Sequence, residues 1–380
     1  MRNRQTPATP PVFPKVFPRP TGRNGWEGVV LAADRLAGTA WDAFEALPPD
    51  QIDRDKVRRL MATAPLREIL DDVMVAAGMP FATPRPTMDF RTELPDLASF
   101  RKVARFLAAA MFDAAVAGRG RTVVGIADAG IRIARAVRGE AMIGTLVAVA
   151  AETLLLRRIA QLAPLLSEAE LATLGEALLG LARAPLAWRD GLEREHRIQL
   201  VLFTDAQRTA TRRTLEESDD PQTRALAGLF GEGADADAAR ALATDRLRRM
   251  LERGTAILED PTRYRLETPR PADDPAGRLV DALVPPTDTV LARVLALVTE
   301  ERLLGLYLLA WSARRRRLTW PGSLADIARP ADLRQPVTGT PVDYVVLPEG
   351  DAVVLRARPI PVPGGAEARA LQVPAARAAG

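Results

Sequence analysis

The sequence predicts a mainly α protein, an irregular helical bundle or short α-solenoid of antiparallel hairpins, closed by a small C-terminal α+β module. Three observations predict it. Between Trp26 and Arg317 apolar residues return at the i, i+3, i+4 spacing of a helix face. Gly- and Pro-containing breaks cut that pattern into helix-length pieces. At Leu318 the text changes to Pro/Gly turns followed by two short β-type runs.

Taken in order, Met1 to Gly25 is Pro-rich and reads as an extended, disordered arm. Val29, Val30, Ala33, Leu36, Ala37, Ala40, Trp41 and Phe44 keep one helical face, which ends at Pro48-Pro49. Val57–Met61 and Leu66–Ala77 continue it, with Gly78 as C-cap. Pro80 to Pro95 holds several prolines with Phe81 and Phe90 and reads as a strap across the helices. The strongest block follows: Leu97–Ala117, Thr122–Val137, Ala141–Leu162 and Ser167–Arg183, broken at Gly118-Arg119-Gly120, Arg138-Gly139 and Pro164. Ser167 and Glu170 form a capping signature. The first two of these helices have the spacing of a tetratricopeptide hairpin. They lack that repeat's Trp, Tyr and Pro marks and its fixed period of about 34 residues, so irregular packing is expected.

After Pro185 a charged helix runs to Glu217, followed by acidic turns at Glu216–Pro221 and Gly231–Asp237. Helices Ala238–Gly254 and Asp288–Arg317 flank a Pro-rich connection, Asp260–Pro286. The last helix is too apolar for a single buried stripe: Leu303, Leu304, Leu306, Tyr307, Leu308, Leu309 and Trp311 crowd it. It is expected to be a central spine, with one face on the earlier helices and the other on Leu324, Ile327, Tyr344 and Val346. The expected organisation is an arm (1–25), a helical domain (26–287), the spine with its module (288–357) and a disordered Pro/Gly/Ala/Arg tail (358–380).

Within the module, Trp320-Pro321-Gly322-Ser323-Leu324 opens a short helix and Pro336–Pro341 is a rigid turn. Val342–Leu347 and Ala352–Ala357, joined by Pro348-Glu349-Gly350-Asp351, form a hairpin. The residues Trp320, Pro321, Ser323, Leu324, Pro336, Thr338, Gly339, Pro341 and Tyr344 follow a pattern that resembles the C-terminal part of type II secretion pseudopilins. The same tail closes a broad family of helical bacterial envelope proteins of unassigned role, which typically carry an N-terminal membrane anchor. Leu94–Leu97 and Ile131–Arg135 are similar to that family's helical domain. Gln335 stands where the family usually has Asp, and Arg316–Thr319 replaces its usual glycine. The hairpin runs out into Arg358-Pro359-Ile360-Pro361, and the calcium-binding acidic residues of major pseudopilins have no counterpart. The resemblance implies a structural or protein-interaction role, with protein partners in the envelope if an anchor lies upstream and a cytoplasmic setting otherwise.

Composition excludes much chemistry. There is no cysteine and one histidine, which removes disulfides, thiolate nucleophiles, iron–sulfur clusters and Cys/His zinc sites. His196 pairs with Glu193 in a Glu-x-x-His spacing, but a di-iron bundle needs a second copy, so a solvent-facing or hydrogen-bonded histidine is expected. Only Lys15, Lys56 and Lys102 are lysines, so 49 of the 52 basic residues are arginine, set against 48 acidic ones. Charge so nearly balanced predicts no strong long-range field for nucleic acid. Dinucleotide, P-loop and nucleophile-elbow motifs are missing, and Gly231–Asp237 lacks the order of a calcium loop. No cofactor or metal is predicted. Ala141–Leu156 is largely apolar but contains Glu152, and Leu303–Trp311 is nine residues long, so both read as buried helices rather than membrane spans.

Two further functions have named residues. Arg314, Arg315, Arg316 and Arg317, flanked by Trp311 and Trp320 and with Arg329 and Arg334 further along the chain, offer guanidinium forks to a polyanion. The simpler reading is a solvated last turn complementing the helix dipole. A carboxylate-based hydrolase would need two acids converging in a pocket. Asp71-Asp72, Asp219-Asp220 and Glu300-Glu301 read more simply as solvated faces, and convergence among Glu193, Glu195, Glu300 and Glu301 is the test.

Overall fold

In a computed structural model, residues 23–45, 54–84, 94, 96–184, 189–201, 204–221, 224, 227–228, 236–266, 273–284, 287–347, 353–361 and 372–373 are described. Among them are thirteen α-helices and three short strands. The expected mainly α architecture with a small C-terminal hairpin is what forms. The Pro-rich arm before Arg23, the glycine-rich part of the Gly231–Asp237 turn and the Pro348–Asp351 loop lie outside the described residues.

The single helix expected through Phe44 is two, α1 (Gly25–Leu36) and α2 (Ala40–Glu45). Gly38 takes φ 77°, a left-handed conformation that stops α1, and its N–H donates to Asp42 at 2.7 Å to start α2. Asn24 caps α1, and the buried Trp26 indole donates to Asp96 Oδ2 at 2.6 Å. Helices α3 (Arg54–Met61) and α4 (Ala64–Ala77) follow, with Gly78 at the C-cap. At the near end of the expected strap, the Pro80 carbonyl accepts from Gly25 N–H.

The central layer is α5 (Asp96–Val116), α6 (Gly120–Ala136), α7 (Ala141–Leu162) and α8 (Glu168–Arg183). Ser167 and Glu170 form the expected capping box. The charged stretch after Pro185 is two helices, α9 (Arg189–Val201) and α10 (Asp205–Glu216), with Thr204 at the second N-cap. Helix α11 spans Ala236–Glu259. The connection expected to be only Pro-rich contains α12 (Pro275–Leu283), where Pro275 follows an Asp274 N-cap that accepts from Gly277 N–H. Its Leu279 and Val280 pack on Ala239, Ala243 and Leu247 of α11.

Helix α13 (Asp288–Arg317) is the spine. Leu303, Leu304, Leu306, Tyr307 and Leu308 are each at most 3% exposed, worth roughly 1.5–3 kcal/mol apiece in burial. Its most extensive contact is with α8. A Cβ at Gly175 would sit 3.0 Å from Gly305 O, and one at Gly305 would sit 3.0 Å from Gly175 O. The two backbones therefore meet with no side chain between them. Leu318 ends α13 in the left-handed region, φ 63°, with its side chain in solvent.

The hairpin is β1 (Asp343–Val346) paired antiparallel with β2 (Val353–Arg356), Tyr344 opposite Leu355. Leu324, Val342, Val353, Leu355 and Ala357 join the same apolar cluster as Trp26, Phe106 and Tyr307, so one core runs from α1 into the module. Ile327 and Tyr344 pack against it as expected. Val346 does not. It is 40% exposed, because β1 is the outer strand and β2 carries the buried side chains. The structure also extends past 357. Ile360 is buried, Tyr264 Oη donates to Pro361 O at 2.7 Å, and Gln372–Val373 pairs antiparallel with β2 as β3. The compositional expectation of a tail disordered from 358 fails at these points, because the free edge of β2 accepts the chain.

Candidate functional site: a sealed carboxylate–arginine cluster

Two carboxylates do converge, though the sequence indicated a different set. Glu152 interrupts the apolar run of α7, and Glu301 lies on the face of α13 that meets α7. Both are 0% exposed. Glu300-Glu301 is thus not the solvated pair expected from its residue types; only an α13 buried on several sides makes that so. Arg135, in the last turn of α6, bridges the two acids. Its Nε donates to Glu152 Oε1 at 3.1 Å, and its Nη2 donates to Glu301 Oε1. Arg138, in the turn after α6, donates from Nη2 to Glu152 Oε2 at 2.5 Å. Thr145 donates to the Arg138 carbonyl at 2.9 Å and holds that turn against α7.

The electrostatics are asymmetric. Burial is the main cause that pushes the Glu301 carboxyl up to about 9; Glu152, by hydrogen bond and by charge, adds to the rise. Arg135 and Arg138 pull the other way and do not offset it. Glu301 Oε2 is buried without a hydrogen-bond partner, a place where a second negative charge would be uncompensated. At neutral pH Glu301 therefore holds its proton beside Glu152. Burial lowers the affinity of Arg138 for its proton; at Arg135 burial acts the same way but is outweighed, with the charge of Glu152 the largest opposing cause. Glu300 accepts from Thr153 at 3.3 Å, and burial pushes its carboxyl up as well.

A hydrolytic pair needs to face substrate. Cavities of about 450, 750, 820 and 540 Å³ lie at the α8/α13/module junction, the α11/α13/module junction, the α2/α3/α5/α7 groove and the α1/α4 groove, and none is lined by Glu152, Glu301, Arg135 or Arg138. The other named acids do not join the cluster. Glu195 accepts from Met142 N–H at 3.2 Å, at the start of α7, and from Gln199 at 2.7 Å. His196 is half-buried with Nε2 unpartnered, and burial holds its imidazole below the ordinary value. No group of three potential metal ligands occurs among the described residues.

The arginine run is largely taken up by the protein. Arg314 lies over the rings of Trp320 (4.6 Å) and Trp311 (5.2 Å), which themselves meet edge to face at 4.9 Å. Arg315 donates to Pro164 O, and Arg316 pairs with Glu168 at 3.7 Å. Arg317 is exposed. Arg334 donates to Gly339 O at 2.9 Å within its own turn. The run fastens the α13 terminus to α8, the α7–α8 turn and the module.

The motif residues of the module serve its internal fit. Tyr344 Oη donates to Pro321 O at 2.9 Å, and burial pushes its hydroxyl up to about 12. Gln335 is 1% exposed; its Oε1 accepts from Thr338 Oγ1 (2.8 Å) and Arg358 N (3.0 Å), and its Nε2 donates to Arg358 O (2.5 Å). Pro336 is buried, Gly339 takes φ 64° in the same turn, and exposed Pro341 bridges to Arg334. Arg183 grips the buried Asp332 bidentately at 2.8 and 2.6 Å, and Arg302 donates to Arg334 O at 2.5 Å. Sequence reading missed both clamps because each partner lies on a different element, far away in the chain. None of the α13 helix or its neighbours is long and apolar enough to cross a membrane, among the described residues. Comparison with family models, curated proteins and solved structures gives no match for this chain.

Proposed function

We propose that the chain is a non-catalytic structural or protein-interaction component of a bacterial cell envelope. The observation that carries the non-catalytic part is the burial of Glu152 and Glu301: both Glu152 oxygens and Glu301 Oε1 accept from Arg135 or Arg138, and neither acid lines any of the four cavities described. A buried, arginine-paired acid fixes helix positions. The rigid docking of the module through Asp332, Arg302 and one shared core supports a body that presents surfaces to partners. The envelope setting rests on the pseudopilin-like pattern of Trp320, Pro321, Leu324, Pro336, Gly339, Pro341 and Tyr344.

Two experiments test the two parts. Fractionation of cells expressing the full genomic locus should place the protein with the envelope; recovery only from cytosol, with no in-frame apolar segment upstream, defeats that assignment. A panel of chromogenic glycosides and esters should give no turnover above buffer. Turnover abolished in Glu301→Gln, with the fold intact, would overturn the non-catalytic reading.

A further inference from the structure

The groove between α2, α3, α5 and α7 has a lining that the reading above does not use. It encloses about 820 Å³, within the range of small-molecule sites. Its floor is low because Ala108, Ala109 and Ala150 face it. Phe44, Phe112 and Leu154 line it while only half-buried, so three large apolar side chains share one uncovered depression.

The rim is basic. Arg105 is paired with Glu45 at 2.5 Å, and Trp41 Nε1 also donates to that carboxylate at 3.2 Å. Arg157 and Arg158 remain. Arg158 lies 5.4 Å from the Phe112 ring centre and donates to the uncharged Gln161 at 2.9 Å. Arg157 feels the charge of Glu300, but among the described residues neither Arg157 nor Arg158 makes an ion pair. Three arginines thus line the groove against one lining carboxylate, Glu45, beside two phenylalanine rings. Burial lowers the affinity of Arg158 for its proton, and no acid opposes that; an anion at the rim would.

We propose that this groove binds an anionic amphiphile, its carboxylate or phosphate head on Arg157 and Arg158 and its apolar body on Phe44, Phe112 and Leu154. Guanidinium forks suit both head groups, and the aromatic and aliphatic floor suits a chain or ring system of drug-like size. The site is separate from the sealed cluster and from any protein-interaction role.

The test uses the full chain and isothermal titration calorimetry with decanoate, decyl phosphate and decyltrimethylammonium, each below its micellar concentration. At least one of the two anions should bind with one-to-one stoichiometry, and which one does so separates the two head groups. The cation of equal chain length should bind at least tenfold more weakly. Arg157→Gln/Arg158→Gln should weaken anion binding tenfold or more while the helical circular-dichroism spectrum and a cooperative melt are kept. Ala109→Leu, which fills the floor and leaves the arginines, should weaken it as well. Failure of both anions to bind, equal binding of the cation, or parent affinity in the folded double variant overturns the proposal.

Discussion

Replacing Glu301 by Gln should flatten the alkaline side of the stability curve. The folded protein holds the Glu301 proton to about pH 9, whereas an unperturbed glutamate releases it near 4.5. Between those values the folded state binds one more proton than the unfolded state, so stability is fullest at low pH and falls as pH rises. The slope is about 1.36 kcal/mol per pH unit, or roughly 2 kcal/mol between pH 7 and about 8.5. An unfolding entropy of about 2.1 cal/mol/K per residue, over 380 residues, gives about 0.8 kcal/mol/K. The parent should therefore lose about 2.5 °C more of its melting temperature over that interval than Glu301→Gln. The amide keeps the size of the side chain and an oxygen for Arg135, and other titrating groups, His196 included, cancel in the comparison. Differential scanning calorimetry in buffers of matched ionic strength reads it. Glu152→Gln is the contrast: it weakens the pairing of the buried Arg138 and should cost stability at every pH, on the order of 3 kcal/mol. Parallel melting-temperature curves for the parent and Glu301→Gln would refute the assignment of a buried, protonated Glu301.

Ending the chain after Arg317 should uncover the surfaces against which Leu324, Val353 and Leu355 pack, at roughly 1.5–3 kcal/mol each, and strand Arg183 without Asp332. A lower melting temperature with self-association is expected; an unchanged, monomeric fragment would show an independent module. Gly305→Val should cost about 1–3 kcal/mol from overpacking at the Gly175 carbonyl, whereas Gly180→Ala, with open space at its Cβ, should be neutral or gain about 0.5–1 kcal/mol by thermal melting. Arg314→Gln should cost about 1 kcal/mol by loss of the stack on Trp311 and Trp320, measured by urea titration. Fluorescence titration with single-stranded and duplex nucleic acid should show no binding that weakens steeply with salt, because Arg314, Arg315 and Arg316 are held by the protein itself.

Legibility in the sequence followed locality. The bounds of α7 and α13 were readable because Arg138-Gly139, Pro164 and the Pro285-Pro286-Thr287 approach supply the stops. Gly38 was lost because the apolar spacing carries straight across it from Leu36 to Trp41. Helix α12 was lost because prolines on both sides masked a four-residue amphipathic stripe. The site was half legible. In the sequence Glu152 is only a charge that breaks an apolar run; that a buried acid there demands a basic partner, and that Arg135 and Arg138 supply it, becomes visible only with the packing of α6 on α7. Glu301 was not legible: a covered spine is expected, but its crowded apolar stretch begins only at Leu303, and nothing in the sequence says which of Glu300 and Glu301 is fully enclosed. Val346 and Val353 present the same difficulty: alternation marks both as strand residues, but only the stacking of β2 on α13 decides which is inside.

The α8–α13 crossing has a consequence for the order in which the protein is made. Helix α8 is complete at Arg183, yet the surface it is shaped to receive begins at Asp288. Everything from α9 to α12 must leave the ribosome before Gly305 can reach Gly175. Until then the nascent chain displays the Gly175–Leu179 face, and Glu152 with Arg135 and Arg138 lacks the cover that α13 brings. A segment that waits this long for its partner is the stretch a chaperone would shield, and a stall before residue 288 would leave an aggregation-prone half-core.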